Sequence, residues 1–245
     1  MPGHGVGEDS GHVRNWAEEW LSAPRFAPYL DACSGNVDGA IELYEWNISL
    51  GQVLMRDIAH FEVALRNAYD RLMQERWDGT DDWLLDDTSP IRMPIMRTAQ
   101  RGMLDVNRIN RNIIDSAVAG LPQGFSHGNL VAALTLGFWV HLTDRSREVD
   151  VWRTHLYLAW PQGTNRADLQ RRLSAVLRTR NRVAHFERLF NPSHQATMPT
   201  TVDADIIRLF RDLCPEAALE LYGDEMQSPV ARFLVEAPAP VRVVA

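Results

Sequence analysis

The sequence predicts an all-α protein, and three observations carry that prediction. Apolar residues recur at helical spacing through most of the chain. No stretch alternates apolar and polar residues over enough positions to make a convincing strand. Clusters of Pro, Gly and Asn fall between the periodic segments, where breakers belong.

The elements follow in order. Val13, Trp16, Ala17, Trp20 and Leu21 keep the rhythm of one buried helix face, with Ser10 as its candidate cap. Pro24 and Pro28 mark a link, and Ser34, Gly35 and Asn36 a turn. From Asp38 to about Arg76 the chain has no Pro. Val37, Ala40, Ile41 and Tyr44 carry one stripe there, and Leu54, Ile58, Phe61, Leu65, Ala68, Tyr69 and Leu72 a second, with Gly51 expected to break or kink the helix between them. Residues 78–90 read as an acidic loop, and Met96, Ala99, Met103, Val106, Ile113 and Ala117 as a third helical stripe. After a loop at 120–128, Ser126 or Asn129 opens a helix to about Leu142, and a short helix follows around Val149 to Leu158. Pro161, Gln162 and Gly163 then break the chain. A basic helix is expected from near Asn165 to just before Pro192, another at about Val202 to Leu213, and a further turn of helix at Glu216 to Tyr222. The expected organisation is one helical domain over residues 10–226, followed by a Pro-containing tail, 227–245, that is poorly ordered.

Composition narrows the function classes. Apolar residues make up 45% and charged residues 23%, ordinary for a globular protein. The longest apolar run, Leu130 to Val140, falls well short of the roughly 18 residues a membrane crossing needs, so no membrane partner is expected. Glu8 and Asp9 precede no apolar stretch of the secretory kind, and the expected location is the cytoplasm. Cys33 and Cys214 sit in no Cys/His cluster, which argues against a disulfide scaffold and a zinc site, and no metal or cofactor is expected. The net charge is −7, yet every one of the 25 basic residues is Arg. Seven of these arginines lie between Thr164 and Phe190, against Asp168 and Glu187 alone. Such a patch on an acidic protein can hold a phosphate backbone locally.

Within that basic helix, Leu169, Leu173, Val176, Leu177, Val183 and Ala184 form one apolar face, and Arg180 falls in its middle, as does Glu187. A guanidinium there must be paired, or must face a cleft or a subunit interface. Asn181 and His185 lie one turn apart on the neighbouring flank, beside Arg178. Cleaving RNA without a metal requires moving a proton off the 2′-hydroxyl and onto the leaving 5′-oxygen, and stabilising the phosphorane. A histidine exchanges protons near neutral pH, and an arginine grips two phosphate oxygens. One His per chain is short of an acid–base pair; a dimer supplies two. On spacing alone the structural reading is favoured over catalysis, since an Arg–His pair at this spacing is common by chance and Arg180 can form a buried bridge to Glu62 or Glu187.

The string Arg180-Asn181-Arg182-Val183-Ala184-His185-Phe186-Glu187 resembles the R-N-x-x-x-H form of the R-x4-6-H motif of HEPN proteins. Four further strings, in order along the chain, resemble the Abi-like (abortive infection) branch: Ser22 to Phe26, Leu43 to Asn47, Phe61 to Asn67 and Leu134 to Val140. The resemblance implies a HEPN-like helical bundle with additional N- and C-terminal helices, usually dimeric with the motif at the interface. It implies a metal-independent RNase that leaves a 2′,3′-cyclic phosphate and serves as a toxin or a phage-defence effector, with RNA, a second copy and a cognate antitoxin protein as partners. By position, Arg180 and His185 are the catalytic pair. Asn181, Glu187 and Glu62 support them, and Arg178 and Arg182 contact RNA. In one HEPN toxin branch a modifiable Tyr stands two residues after the His; here Glu187 stands there, which puts that control in doubt. Other members bind RNA, nucleotides or proteins without cutting, and that is the alternative reading.

The remaining features read as structure. Phe138 and Trp139 are expected in the core, as is Trp46 in preference to base stacking. His141 and His155 have no metal-spaced partner. Asp81, Asp82, Asp86 and Asp87 resemble a calcium loop in composition only.

Overall fold

In the computed structural model the described residues are 16–99 and 102–245, and they are mostly helical. Ser10 and Val13 lie outside them. Two compact units form: one comprises the chain through Asp57 with Arg178–Ala204 and Gln227–Ala245, the other Ile58–Leu177 with Asp205–Met226.

In the first unit, residues 16–21 are helical. Ala17 and Leu21 are buried, but Trp16 and Trp20 are exposed, so the apolar face read from the sequence is only half covered. Helix α1 (Ala23–Ala32) occupies the expected link. Pro24 sits in its first turn, where a missing N–H costs nothing, and Pro28 is accommodated inside it. The turn at 33–35 holds Ser34 and Gly35 at positive φ. The Asn36 side chain then accepts the N–H of Gly39 at 3.1 Å and caps helix α2 (Val37–Arg76). This helix runs unbroken through Gly51, so the expected break is absent. A Cβ at Gly51 would stand 3.5 Å from Val183 and 3.6 Å from Leu189, ordinary contact distances, so the packing there does not require a glycine.

In the second unit, Asp82 of the acidic loop and Asp70 of α2 share one imidazole. His127 meets Asp82 through Nδ1 at 2.6 Å and Asp70 through Nε2 at 2.7 Å. Burial alone would lower the His127 pKa, but the two carboxylates win and hold it above its ordinary value. The stripe expected as a helix from Met96 divides. Strands β1 (Met96–Ala99) and β2 (Gly102–Asp105) pair antiparallel, and only helix α3 (Arg108–Ala119) is helical. Met96 and Met103 point to solvent, so their helical spacing marked no buried face, and Gly102 takes φ +112. Ser126 caps α4 (His127–Ala133) with a reciprocal capping box. The chain breaks at Leu134 and resumes as α5 (Leu136–His141), with Phe138 and Trp139 fully buried. Arg147 is buried beneath it, its guanidinium donating to the carbonyls of His141 and Val106 and to the side chains of Asn107 and Asn110.

Helix α6 (Arg166–Ala184) carries the motif, and α7 (Pro199–Leu213) and α8 (Pro215–Tyr222) follow. Where a poorly ordered tail was expected, α9 (Pro229–Glu236) forms in the first unit. Trp46, buried as expected, donates to the carbonyl of Ala237 at 2.8 Å, and Asn191 exchanges two hydrogen bonds with Val244, pinning the last residues. No helix among the described residues is long and apolar enough to cross a membrane.

Candidate functional site

The site is built by the way α6 ends. Its start is capped by Asn165, whose side chain accepts the N–H of Asp168 at 3.1 Å. Leu169, Leu173 and Val176 are buried as the periodicity requires. The helix stops at Ala184, about two turns before the expected end, so His185 sits just past the last helical residue. The N–H of Glu187 bonds the carbonyl of Arg182 at 2.8 Å and that of Phe186 the carbonyl of Val183 at 3.0 Å, a Schellman closure with Phe186 at φ +54. The signal usually sought for this closure, a Gly after the last turn, is missing, which is why the sequence concealed it.

Asn47 on α2 fixes the strand that leaves the turn. It is buried; its amide donates to the carbonyl of Glu187 at 3.2 Å, and its oxygen accepts the N–H of Leu189 at 2.7 Å. A single side chain thus satisfies two backbone groups that would otherwise be orphaned in the interior.

This geometry redistributes the expected roles. Arg180 is half-buried, and its guanidinium donates to the Asn181 side chain at 3.4 Å. Among the described residues no carboxylate lies within ion-pair distance of it. Glu187, expected to orient Arg180 or His185, instead places its carboxylate 3.6 Å from Arg182 Nε, because the chain has left the helix and no longer follows helical spacing. His185 is exposed; its ring has no hydrogen-bond partner among the described residues, and its backbone carbonyl accepts from Arg25 at 3.4 Å. No hydrogen bond joins the Arg180 and His185 side chains. Arg178 is exposed, as a contact to a large ligand requires. Glu62 is half-buried on α2, within the second unit.

Two depressions flank the turn. One, of about 210 Å³, is largely apolar and is lined by Ile48, Gly51, Met55, Val183, Phe186 and Leu189. The other, of about 510 Å³, is basic and is lined by Ser22, Arg25, Tyr29, Arg182, Phe186 and Arg188. Burial pulls the Arg182 pKa below the ordinary arginine value, with Arg188 adding to that effect and Glu187 opposing it. Arg25, Tyr29, Arg188 and Asn47 were not singled out as site residues from the sequence. Arg25 and Asn47 do stand in two of the strings that carry the resemblance, and Arg188 belongs to the basic run counted between Thr164 and Phe190. Cys33 is buried and Cys214 half-buried, both as thiols, and no three His, Cys, Asp or Glu side chains among the described residues converge as a metal site.

No family model, curated protein or solved structure matches the chain.

Proposed function

We propose that this chain is a metal-independent endoribonuclease of the HEPN type, in its Abi-like branch, acting as a toxin or phage-defence effector, with a composite site made by two copies. The observation that carries this reading is Arg180. It is a permanently charged group partly removed from water, its one polar side-chain partner among the described residues is the neutral amide of Asn181, and it lies five residues before an exposed imidazole just past the helix end. A phosphodiester supplies the missing anion. His185 of one copy takes the 2′-hydroxyl proton, that of the other protonates the 5′-oxygen, and the two Arg180 guanidinia neutralise the phosphorane. Asn181 holds Arg180 in place, while Arg178 and Arg182 receive flanking phosphates. A cognate antitoxin protein would bind over the same face.

The test is cleavage of RNA by the purified chain in EDTA, compared with His185→Ala. Cleavage by the parent alone, leaving 2′,3′-cyclic ends, is the expected result; equal cleavage by both, or none by either, defeats the proposal. One observation favours a second reading, a module that binds RNA, nucleotide or protein without cutting: the His185 ring has no hydrogen-bonded neighbour among the described residues to fix its tautomer. On that reading Arg180→Ala weakens binding while the parent leaves RNA uncut.

A further inference from the structure

The basic hollow beside the motif holds more positive charge than the cleavage chemistry uses. Arg25, Arg182 and Arg188 line it, and Glu187 is the one acidic residue among its lining. Helix α1 starts at its rim. The N-cap residue, Ser22, makes no side-chain capping bond, and no acidic side chain stands in the first turn, so neither a side-chain cap nor an acidic residue of α1 offsets the positive end of its dipole. One turn along α1 from Arg25, Tyr29 also lines the hollow; it is 1% exposed and its hydroxyl has no hydrogen-bond partner among the described residues. Burial, helped by Tyr44, raises the Tyr29 pKa to about 12 against the pull of Arg188, Arg25 and Arg182, so the group keeps its proton and remains a donor. Ser22, at φ +65, and Phe186, whose φ of +54 closes α6, wall the hollow.

A buried hydroxyl without an acceptor among the described residues, an uncapped helix start and three guanidinia with one carboxylate among them share a single complement, a multiply oxygenated anion. We propose that this hollow binds a phosphate group, gripped by Arg25 and Arg188 with Arg182 and the start of α1 behind them, and accepting the hydrogen bond that Tyr29 makes to none of the described residues. Arg25 also donates to the His185 carbonyl, which sets the bound phosphate beside the motif. In so far as that phosphate belongs to RNA, the inference rests on the RNA reading above; as a phosphate site it requires no cleavage.

The probe is a fluorescein-labelled 2′-O-methyl RNA, which lacks the nucleophile and is not cut, titrated at several salt concentrations. Adenosine monophosphate is titrated calorimetrically in parallel, to separate a backbone phosphodiester from a free phosphomonoester. Arg25→Gln and Arg188→Gln are each expected to weaken RNA binding on the order of tenfold and to reduce the salt slope by about 0.7. Tyr29→Phe should weaken binding several-fold with the slope unchanged, because it removes a donor and no charge. Tight adenosine monophosphate binding that depends on the same arginines, without RNA binding, supports the site with a free nucleotide as its source. If the Arg25→Gln/Arg188→Gln double variant, folded by circular dichroism, binds both probes like the parent, the site is overturned. Arginine-dependent binding with no RNA cleavage by the parent defeats the nuclease proposal and leaves the site standing; cleavage with arginine-independent binding does the reverse.

Discussion

Asp203 is a carboxylate with almost nowhere to put a charge. It is fully buried, accepts hydrogen bonds from the Ser228 hydroxyl and the Val230 N–H, and is hydrogen-bonded to Asp57, which is also fully buried with Arg56 3.5 Å away. Burial, and then the neighbouring Asp57 carboxylate, push the Asp203 pKa up to about 7. The folded chain therefore binds this proton more tightly than the unfolded one. The stabilisation is complete below about 4, where both states are protonated, and is lost as pH rises toward 7, on the order of a few kcal/mol in all. Asp203→Asn keeps the shape, remains neutral at every pH and donates to Asp57. In urea unfolding at pH 5 and pH 8, the parent should lose stability at the higher pH, while the variant loses less and exceeds the parent at pH 8. Curves that stay parallel across that window rule out the shared proton. None of this was legible in the sequence, where Asp57 and Asp203 are two unremarked acids far apart. Charge can be counted along a chain, but the partner that shifts it is a tertiary fact. Arg180 was more readable, because a cation in an apolar stripe conflicts with its surroundings in one dimension already.

At the scale of elements, the periodic signal succeeded where a face is buried and failed where local backbone chemistry decides. The α6 face of Leu169, Leu173 and Val176 was visible because burial repeats every turn. Its end was not, because Phe186 adopts a conformation that Gly usually advertises. The β1–β2 hairpin imitated a helix through Met96 and Met103, two exposed side chains whose spacing reflects no packing. Gly51 is the opposite error: a residue expected to break α2 lies within forty continuous helical residues. A Cβ added there meets Val183 and Leu189 at 3.5 and 3.6 Å, ordinary contact distances. Gly51→Ala should therefore stabilise the chain by roughly 0.5–1 kcal/mol through restored helix propensity, raising Tm by about 1–4 °C. A calorimetric scan in which Tm falls instead would mean that the approach of α6 tolerates no side chain at this position.

The whole molecule raises the question of copy number. The first unit is assembled from three stretches remote in sequence, an arrangement that periodicity cannot reveal, since it reports faces and not what covers them. On the nuclease reading the site formed there is incomplete, because a single His185 cannot take the 2′-hydroxyl proton and protonate the 5′-oxygen in the same concerted step. Phe186, 56% exposed and bordering both depressions, is where a second copy would bury apolar surface. An interface of ordinary size needs about 800 Å² from each partner, so losing a central aromatic should be felt strongly. Phe186→Asn separates this effect from folding, because Asn tolerates the left-handed backbone that Phe186 adopts and adds no charge beside the arginines. In sedimentation velocity the parent should run at twice its 27.8 kDa chain mass, and Phe186→Asn should shift toward the single-chain mass while keeping its helical circular dichroism and losing RNA cleavage. A parent that sediments as one chain and still cleaves RNA would require the second proton carrier to come from the same chain, and the paired-histidine mechanism would have to be abandoned.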